Sequence, residues 1–251
     1  MTMVESEIKN DIAIIRLNNG VTNPINTELC NDLTNVLNKT KRSSHLRGLV
    51  LTSVSTKFFS IGFDIPTLIT RDRDGIAEFY NAFNDLCETL FTMPVYTVTA
   101  ITGHYVAGGS LISACTDSRI SVDGRAKTGI TAIKLGLAVP LLGQLIVRLR
   151  MKAEFADEFL KTGDFYELPW AYKSGYIDKL TTLDKLLDDA MKLISDQNLT
   201  QPTDYKQKKE QLTKTIINDF KKNLEQDRVR FVNSWFEPEV QRNLHKAMEK
   251  F

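Results

Sequence analysis

The stretch Ile101-Thr102-Gly103-His104-Tyr105-Val106-Ala107-Gly108-Gly109-Ser110-Leu111, continued as ISACTDSRIS to residue 121, places a strand end, a glycine-rich turn, a helix start and a new strand in close succession. Glycines allow positive φ and the close approach of another chain segment or a ligand. The first amides of a helix have no acceptor inside it and attract negative charge. Residues 95–101 before the turn are rich in β-branched side chains, and residues 119–122 after it read as a further strand.

Outward from this stretch the alternation persists. Residues 12–17, bounded by Asp11 and the Asn18-Asn19-Gly20 turn signal, predict a first strand. Leu29, Leu33, Val36 and Leu37 share one helical face, with Asn26 as N-cap and Glu28 in the first turn. A second strand is predicted over 46–52 and a long helix over 75–91, with Ile76, Phe79, Phe83, Leu86 and Leu90 as its stripe. A further helix is predicted over 137–151. Strands alternating with helices predict an α/β fold of parallel strands joined by crossovers, with ligands at the strand ends.

A second glycine-bearing stretch, Phe58-Phe59-Ser60-Ile61-Gly62-Phe63-Asp64-Ile65, follows the second strand. Alone, each stretch reads more readily as a plain strand-to-helix turn. Together, two backbone amides from separate loops suit a developing oxyanion. Neither GxxxxGK[ST] nor GxGxxG occurs, which argues against a nucleotide-phosphate cradle.

With a third stretch, GITAIKLGLAVPLLGQ (129–144), the two resemble the crotonase (enoyl-CoA hydratase/isomerase) superfamily in order and spacing over roughly residues 10–200. The matching family patterns are FSAGxD, NGxAxGGGxxLAxxCDxRxA and PExxLGLxP. The resemblance implies a spiral of ββα units with a C-terminal helical appendage. It implies an oxyanion hole made of the Phe63 and Gly108 N–H groups, with Ile61, Gly62, Asp64, Leu111 and Ala132 lining the substrate and Lys57 near the phosphates of coenzyme A. The chain looks most like the Δ3,Δ2-enoyl-CoA isomerase branch, in which a double bond shifts through a dienolate held in that hole. By the same resemblance no cofactor is bound permanently, and coenzyme A or phosphopantetheine arrives as part of an acyl-CoA or acyl-carrier-protein thioester. A homotrimer or hexamer, and a place in fatty-acid or polyketide metabolism, are also implied.

The chain departs from the family at its two catalytic glutamates, whose positions hold Leu111 and Ala132. A missing general base typically costs about 10²–10⁴ in rate, which leaves three readings. Another group carries the proton, with His104, Tyr105, Asp64, Glu78 and Glu88 as ionisable candidates near the motifs. Alternatively, a malonyl-type thioester loses CO₂ and needs only the hole and a donor such as Tyr105 or His104. In the third reading the protein binds acyl thioesters without catalysis.

Composition frames these readings. Of 251 residues, 42% are hydrophobic and 25% charged, which fits an ordinary globular protein. Residues 1–200 carry 21 basic against 23 acidic side chains and residues 201–251 carry 11 against 8, a near-neutral balance that argues against nucleic acid as partner. Residues 1–200 are expected to form the core domain and 201–251 a helical region packing on that core or on a neighbouring subunit. In that region Leu212, Ile216, Phe220 and then Val229, Val232, Phe236 are read as narrow stripes, after a helix marked by Leu183, Leu186, Leu187, Ala190, Met191 and Ile194. Six lysines lie between Lys206 and Lys222, read as a solvated face or a surface for an anionic carrier. No run reaches the roughly 18 apolar residues of a membrane span, and residues 1–9 do not read as a signal peptide, so a cytoplasmic location is expected. The last residues, Glu249-Lys250-Phe251, do not match an SKL-type peroxisomal signal. Cys30, Cys87 and Cys115 are read as core thiols, and the scattered cysteines and histidines give no metal-site spacing.

Overall fold

The computed structural model describes residues 2–43, 45–124, 126–197 and 202–249. Its chain begins with β1 (Val4–Lys9), which pairs antiparallel with β2 (Ile12–Leu17). Sequence periodicity does not mark β1, because after Val4 its residues are all exposed and it lies at a sheet edge. A two-residue β3 (Pro24–Ile25) leads into α1 (Thr27–Lys41), whose predicted N-cap is present: Asn26 Oδ1 accepts from Leu29 N–H at 2.9 Å.

Next come β4 (Gly48–Ser53), β5 (Phe58–Ser60), β6 (Gly62–Phe63), the single turn α2 (Ile65–Leu68) and the long α3 (Arg73–Phe91). Asp72 caps α3, so that helix starts two residues before the predicted Gly75. The stretch that opened the sequence reading forms β7 (Tyr96–Ile101), β8 (His104–Val106), α4 (Gly108–Ala114) and β9 (Ser118–Val122), followed by β10 (Lys127–Gly129).

Residues 137–151 were expected to be one helix. Instead a 3₁₀ turn at Thr131–Leu135 closes at Gly136, residues 137–140 belong to no element, and α5 (Leu141–Arg150) begins only after Pro140. Proline suits a helix start and not its interior. Then come α6 (Ala153–Thr162), β11 (Tyr166–Glu167), α7 (Leu168–Lys173), β12 (Lys179–Thr181) and α8 (Leu186–Ser195). Leu183, read as part of that last helix, lies before it and is exposed.

The large sheet has the order β1-β2-β4-β7-β9-β12, parallel throughout except at β1. Shorter strands build a second sheet, β11-β10-β8-β5, and β3 pairs with β6. Three times a large-sheet strand is followed by a small-sheet strand and then helix: β4 with β5, β7 with β8, β9 with β10. This is the expected α/β spiral of ββα units. The large sheet is buried on both faces, as parallel sheets are. Ile12, Ile14, Val50, Val98, Ala100 and Ile120 meet Ala190, Met191 and Ile194 of α8, while Ala13, Ile15, Leu49 and Leu51 face the main core. All three cysteines are buried free thiols.

The division at residue 200 falls on 198–201, outside the described residues. Beyond it, α9 (Pro202–Trp235) is one helix of 34 residues and α10 (Pro238–Met248) follows. The stripe of α9 differs from the expected one. Leu212 and Val229 are exposed, while Lys209, Thr213, Phe220, Asp227, Phe231 and Trp235 are buried. Reading apolar residues alone misplaced this face because three of its members are polar. The face packs antiparallel on α3: Arg73 bonds Asn233, Tyr80 bonds Asp227 and Lys221 pairs with Glu88.

Candidate active site

The two glycine-bearing stretches meet where β6 lies against the start of α4. Gly62 has φ +93°, and a Cβ there would stand 2.6 Å from the Ala107 Cβ and 3.0 Å from the Gly108 nitrogen. Such a Cβ on Gly108 would stand 2.7 Å from the Phe63 ring. Only glycine lets these backbones come so close. Ala107 itself is held at φ +49°, a strained conformation for a residue with a side chain. Ala107 N–H donates to Gly129 O at 2.7 Å and Leu111 N–H donates to Ala107 O at 3.2 Å, which fixes the turn.

Local hydrogen bonding sets the direction of the amides. Asp64 N–H donates to Ile25 O at 2.8 Å, so ladder alternation turns the preceding Phe63 N–H away from β3. Gly108 opens α4, where an amide has no acceptor within its own helix. Two backbone donors on adjacent segments form an arrangement able to hold an oxyanion. The Phe63 ring is anchored edge-on by Phe79 and Phe83, with centroids at 4.9 and 5.0 Å, and reaches Phe231 of α9 at 6.3 Å.

Leu111 and Ala132 are 2% and 9% exposed and belong to the same apolar core. Leu111 lies one turn into α4 and packs on Gly143 of α5. Ala132 sits in the 3₁₀ turn, three residues after Gly129, and its carbonyl accepts from Leu137 N–H at 3.1 Å. Ile61 is half-buried and its N–H donates to Thr22 O at 3.0 Å. Asp64 is occupied as a cap: Oδ1 accepts from Thr67 N–H at 3.2 Å and Oδ2 from Asn26 Nδ2 at 3.1 Å.

The remaining ionisable candidates are spread out. His104 and Lys57 stand at the beginnings of β8 and β5, whereas Phe63 and Gly108 follow the ends of those strands. The His104 ring lies against Phe58, and its Nδ1 accepts from Lys127 N–H at 3.2 Å. Burial lowers its pKa below the usual histidine value, and the Lys127 and Lys57 charges lower it further. Lys57 places its ammonium 5.5 Å from the Phe58 ring. Tyr105 is fully buried, stacked on Tyr176, and its hydroxyl has no hydrogen-bond partner among the described residues. Burial raises its pKa well above the usual phenol value, so it remains a donor. Glu78 is exposed and Glu88 pairs with Lys221 at 2.6 Å.

Sequence reasoning missed Asp227. Among the described residues it is the most deeply buried acidic side chain, 4% exposed. It accepts from Tyr80 Oη at 2.6 Å and Leu141 N–H at 2.8 Å, and it is bonded by Arg230. Its position in a polar helix gave no apolar signal, and its partners Tyr80 and Leu141 lie 147 and 86 residues away in sequence. No group of three or more His, Cys, Asp or Glu among the described residues is placed to hold a metal. No described helix is long and apolar enough to cross a membrane.

Comparison with known proteins gives a consistent outcome. The family model described as enoyl-CoA hydratase/isomerase matches residues 7–251. Mouse mitochondrial enoyl-CoA delta isomerase 1 is 26% identical over 250 residues, 99% of this chain and 86% of that protein. The crystal structure of human mitochondrial Δ3-Δ2-enoyl-CoA isomerase superposes with a TM-score of 0.94 at 22% identity, covering 99% of this chain and 97% of that one. A methylmalonyl-CoA decarboxylase structure superposes at 0.81 with 18% identity, covering 99% and 95%.

Proposed function

The chain belongs to the enoyl-CoA hydratase/isomerase family, which acts on acyl-CoA thioesters without a permanently bound cofactor, and on that premise we propose that it shifts a carbon–carbon double bond in an enoyl thioester. The observation that carries this reading is the close approach of Gly62-Phe63 to Ala107-Gly108. In the proposed reaction a proton leaves C2 of a 3-enoyl thioester and the electron pair delocalises onto the thioester oxygen. Phe63 N–H and Gly108 N–H donate to that oxygen, and a proton returns at C4. Donors of this kind are worth about 2.7–4 kcal/mol each in other enzymes. The proton is carried by neither Leu111 nor Ala132, which cannot ionise. His104 and Tyr105 are the proposed carriers, Tyr105 as a donor only.

A second reading rests on the apolar character of Leu111 and Ala132. Loss of CO₂ from a malonyl-type thioester leaves its electron pair as the same enolate, with no base required. The hole holds the enolate while Tyr105 or His104 supplies one proton to carbon. A third proposal is a binding protein that uses the hole without turnover. Coenzyme A and an acyl-carrier phosphopantetheine present the same thioester, with Lys57 proposed to meet the phosphate of either. Assembly as a homotrimer or hexamer in the cytoplasm belongs to the same proposal, and light scattering reads the copy number.

The test is to incubate the protein with 3-enoyl-CoA, 2-enoyl-CoA and methylmalonyl-CoA. Appearance of conjugated-thioester absorbance from the first, without hydration of the second, supports the isomerase. Release of CO₂ from the third alone supports the decarboxylase. Binding of all three without change in any supports the non-catalytic reading. Repeating the assay with acyl-carrier-protein thioesters separates the carriers.

A further inference from the structure

Residues 138–140 lie between the 3₁₀ turn that bears Ala132 and the start of α5 and belong to no helix or strand. Their buried backbone groups need partners from elsewhere. One face of α9 supplies three. Asp227 Oδ2 accepts from Leu141 N–H at 2.8 Å, Arg230 donates to Val139 O at 2.7 Å, and Ser234 Oγ accepts from Ala138 N–H at 3.0 Å. Positions 227, 230 and 234 recur at the i, i+3, i+7 spacing of one helical face.

The polar face is internally braced. Arg230 also bonds Asp227 Oδ1, and the Tyr80 hydroxyl donates to Asp227 Oδ2 at 2.6 Å, so α3, α5 and α9 converge on one carboxylate. With both oxygens occupied, Asp227 is unsuited to serve as a general base. Phe231 on the same helical turn touches Tyr80 with centroids 5.2 Å apart and Phe63 at 6.3 Å. A single stretch of α9 therefore contacts both the strand that presents the Phe63 amide and the segment that follows Ala132. The hydrogen bond from Leu137 N–H to Ala132 O carries the restraint back into the 3₁₀ turn.

We propose that Asp227, Arg230 and Ser234 form a backbone clamp on residues 138–141 that positions the Ala132 turn against the Phe63–Gly108 hole. These are positioning residues. The functional part of the inference rests on the thioester chemistry proposed above, but the clamp itself does not. Displacement of a positioned segment by about 1 Å lowers turnover by up to about 100-fold without loss of binding.

The experiment compares the full-length chain with Asp227→Asn, Ser234→Ala and the conservative Ser234→Thr, measuring amide hydrogen exchange and steady-state kinetics together. Expected are faster exchange at Leu141 in Asp227→Asn and at Ala138 in Ser234→Ala, with exchange in β4 and β7 unchanged and Ser234→Thr restoring protection. Turnover should fall between about 10- and 100-fold while KM changes by less than about 2-fold. Unchanged exchange at both amides overturns the clamp whatever the activity. Faster exchange with unaltered kcat overturns its positioning role. If the unsubstituted protein turns over no thioester, the functional reading above fails, while the exchange result still decides whether the clamp exists.

Discussion

A Cβ on Gly62 would lie 2.6 Å from the Cβ of Ala107, although Gly62 belongs to β6 and Ala107 caps α4, some 45 residues later in the chain. This closeness underlies the proposed oxyanion hole. Gly62→Ala adds that clash to a positive φ, and Gly108→Ala drives a methyl into the Phe63 ring. Both are expected to lower stability by about 1–3 kcal/mol. Turnover is expected to fall about 10²–10³-fold through displacement of the donors. Urea unfolding and kinetics on the folded fraction check both numbers. Full activity in a folded Gly108→Ala protein contradicts the assignment.

Replacing Ala132 by glutamate supplies a carboxylate at the position that the sequence resemblance matches to a catalytic glutamate. With His104 as the proposed carrier the rate on 3-enoyl-CoA is expected to stay essentially unchanged, whereas a rise of about 10²–10⁴-fold, the usual contribution of a positioned base, shows that the base was absent and contradicts His104 in that role. An unchanged rate in a stably folded Ala132→Glu protein shows that another residue already moves the proton.

His104 is expected to be neutral at pH 7, because burial and then Lys127 and Lys57 lower its pKa. In the window between that lowered value and about 6.5 the unfolded chain binds more protons than the folded one. Its contribution to stability is therefore present above about pH 6.5 and is lost as pH falls through the lowered folded value. An NMR titration of the imidazole should show a midpoint below 6.5 that rises in Lys127→Gln. A midpoint at or above the ordinary histidine value contradicts this reading.

Asp117 ties α9 to the core through Lys209. Burial pushes the Asp117 pKa up, but Lys209 and Arg150 outweigh it and hold the carboxyl below its usual range. The pair also rests on Thr97, whose N–H and hydroxyl donate to Asp117 at 2.9 and 2.8 Å. Asp117→Asn leaves the Lys209 ammonium buried beside Arg150 and is expected to cost about 3–5 kcal/mol. Adding Lys209→Met should recover much of that loss. The Asp117 contribution is present above about pH 3.9 and is lost as pH falls through its lower folded value, a dependence the double variant should lack. Denaturant unfolding across pH measures each outcome.

The sequence made the large sheet legible because its inner strands combine β-branched runs with turn signals, as 12–17 before Asn18-Asn19-Gly20 illustrates. The Asn26 cap and the stripe of α3 were legible for the same local reason. By contrast β5, β6, β8 and β10 are two or three residues long, too short for a periodic signal, yet they place the residues of the proposed hole. Their presence entered through the family resemblance, not through pattern. The inner face of α9 escaped detection because Lys209 and Asp227 are buried by long-range pairing, and Thr213 by bonding the Lys209 carbonyl of its own helix, none of which composition encodes. Leu111 and Ala132 were identified at once as departures, and the structure places both in the apolar core.

Polarisation of a thioester carbonyl by the Phe63 and Gly108 N–H groups is read by infrared difference spectroscopy of a bound, non-isomerisable acyl-CoA with a ¹³C-labelled carbonyl. The carbonyl stretch is expected to move to lower frequency on binding, and to move less in Gly108→Ala. A carbonyl that binds with its solution frequency unchanged, or a shift that survives Gly108→Ala intact, would contradict that polarisation.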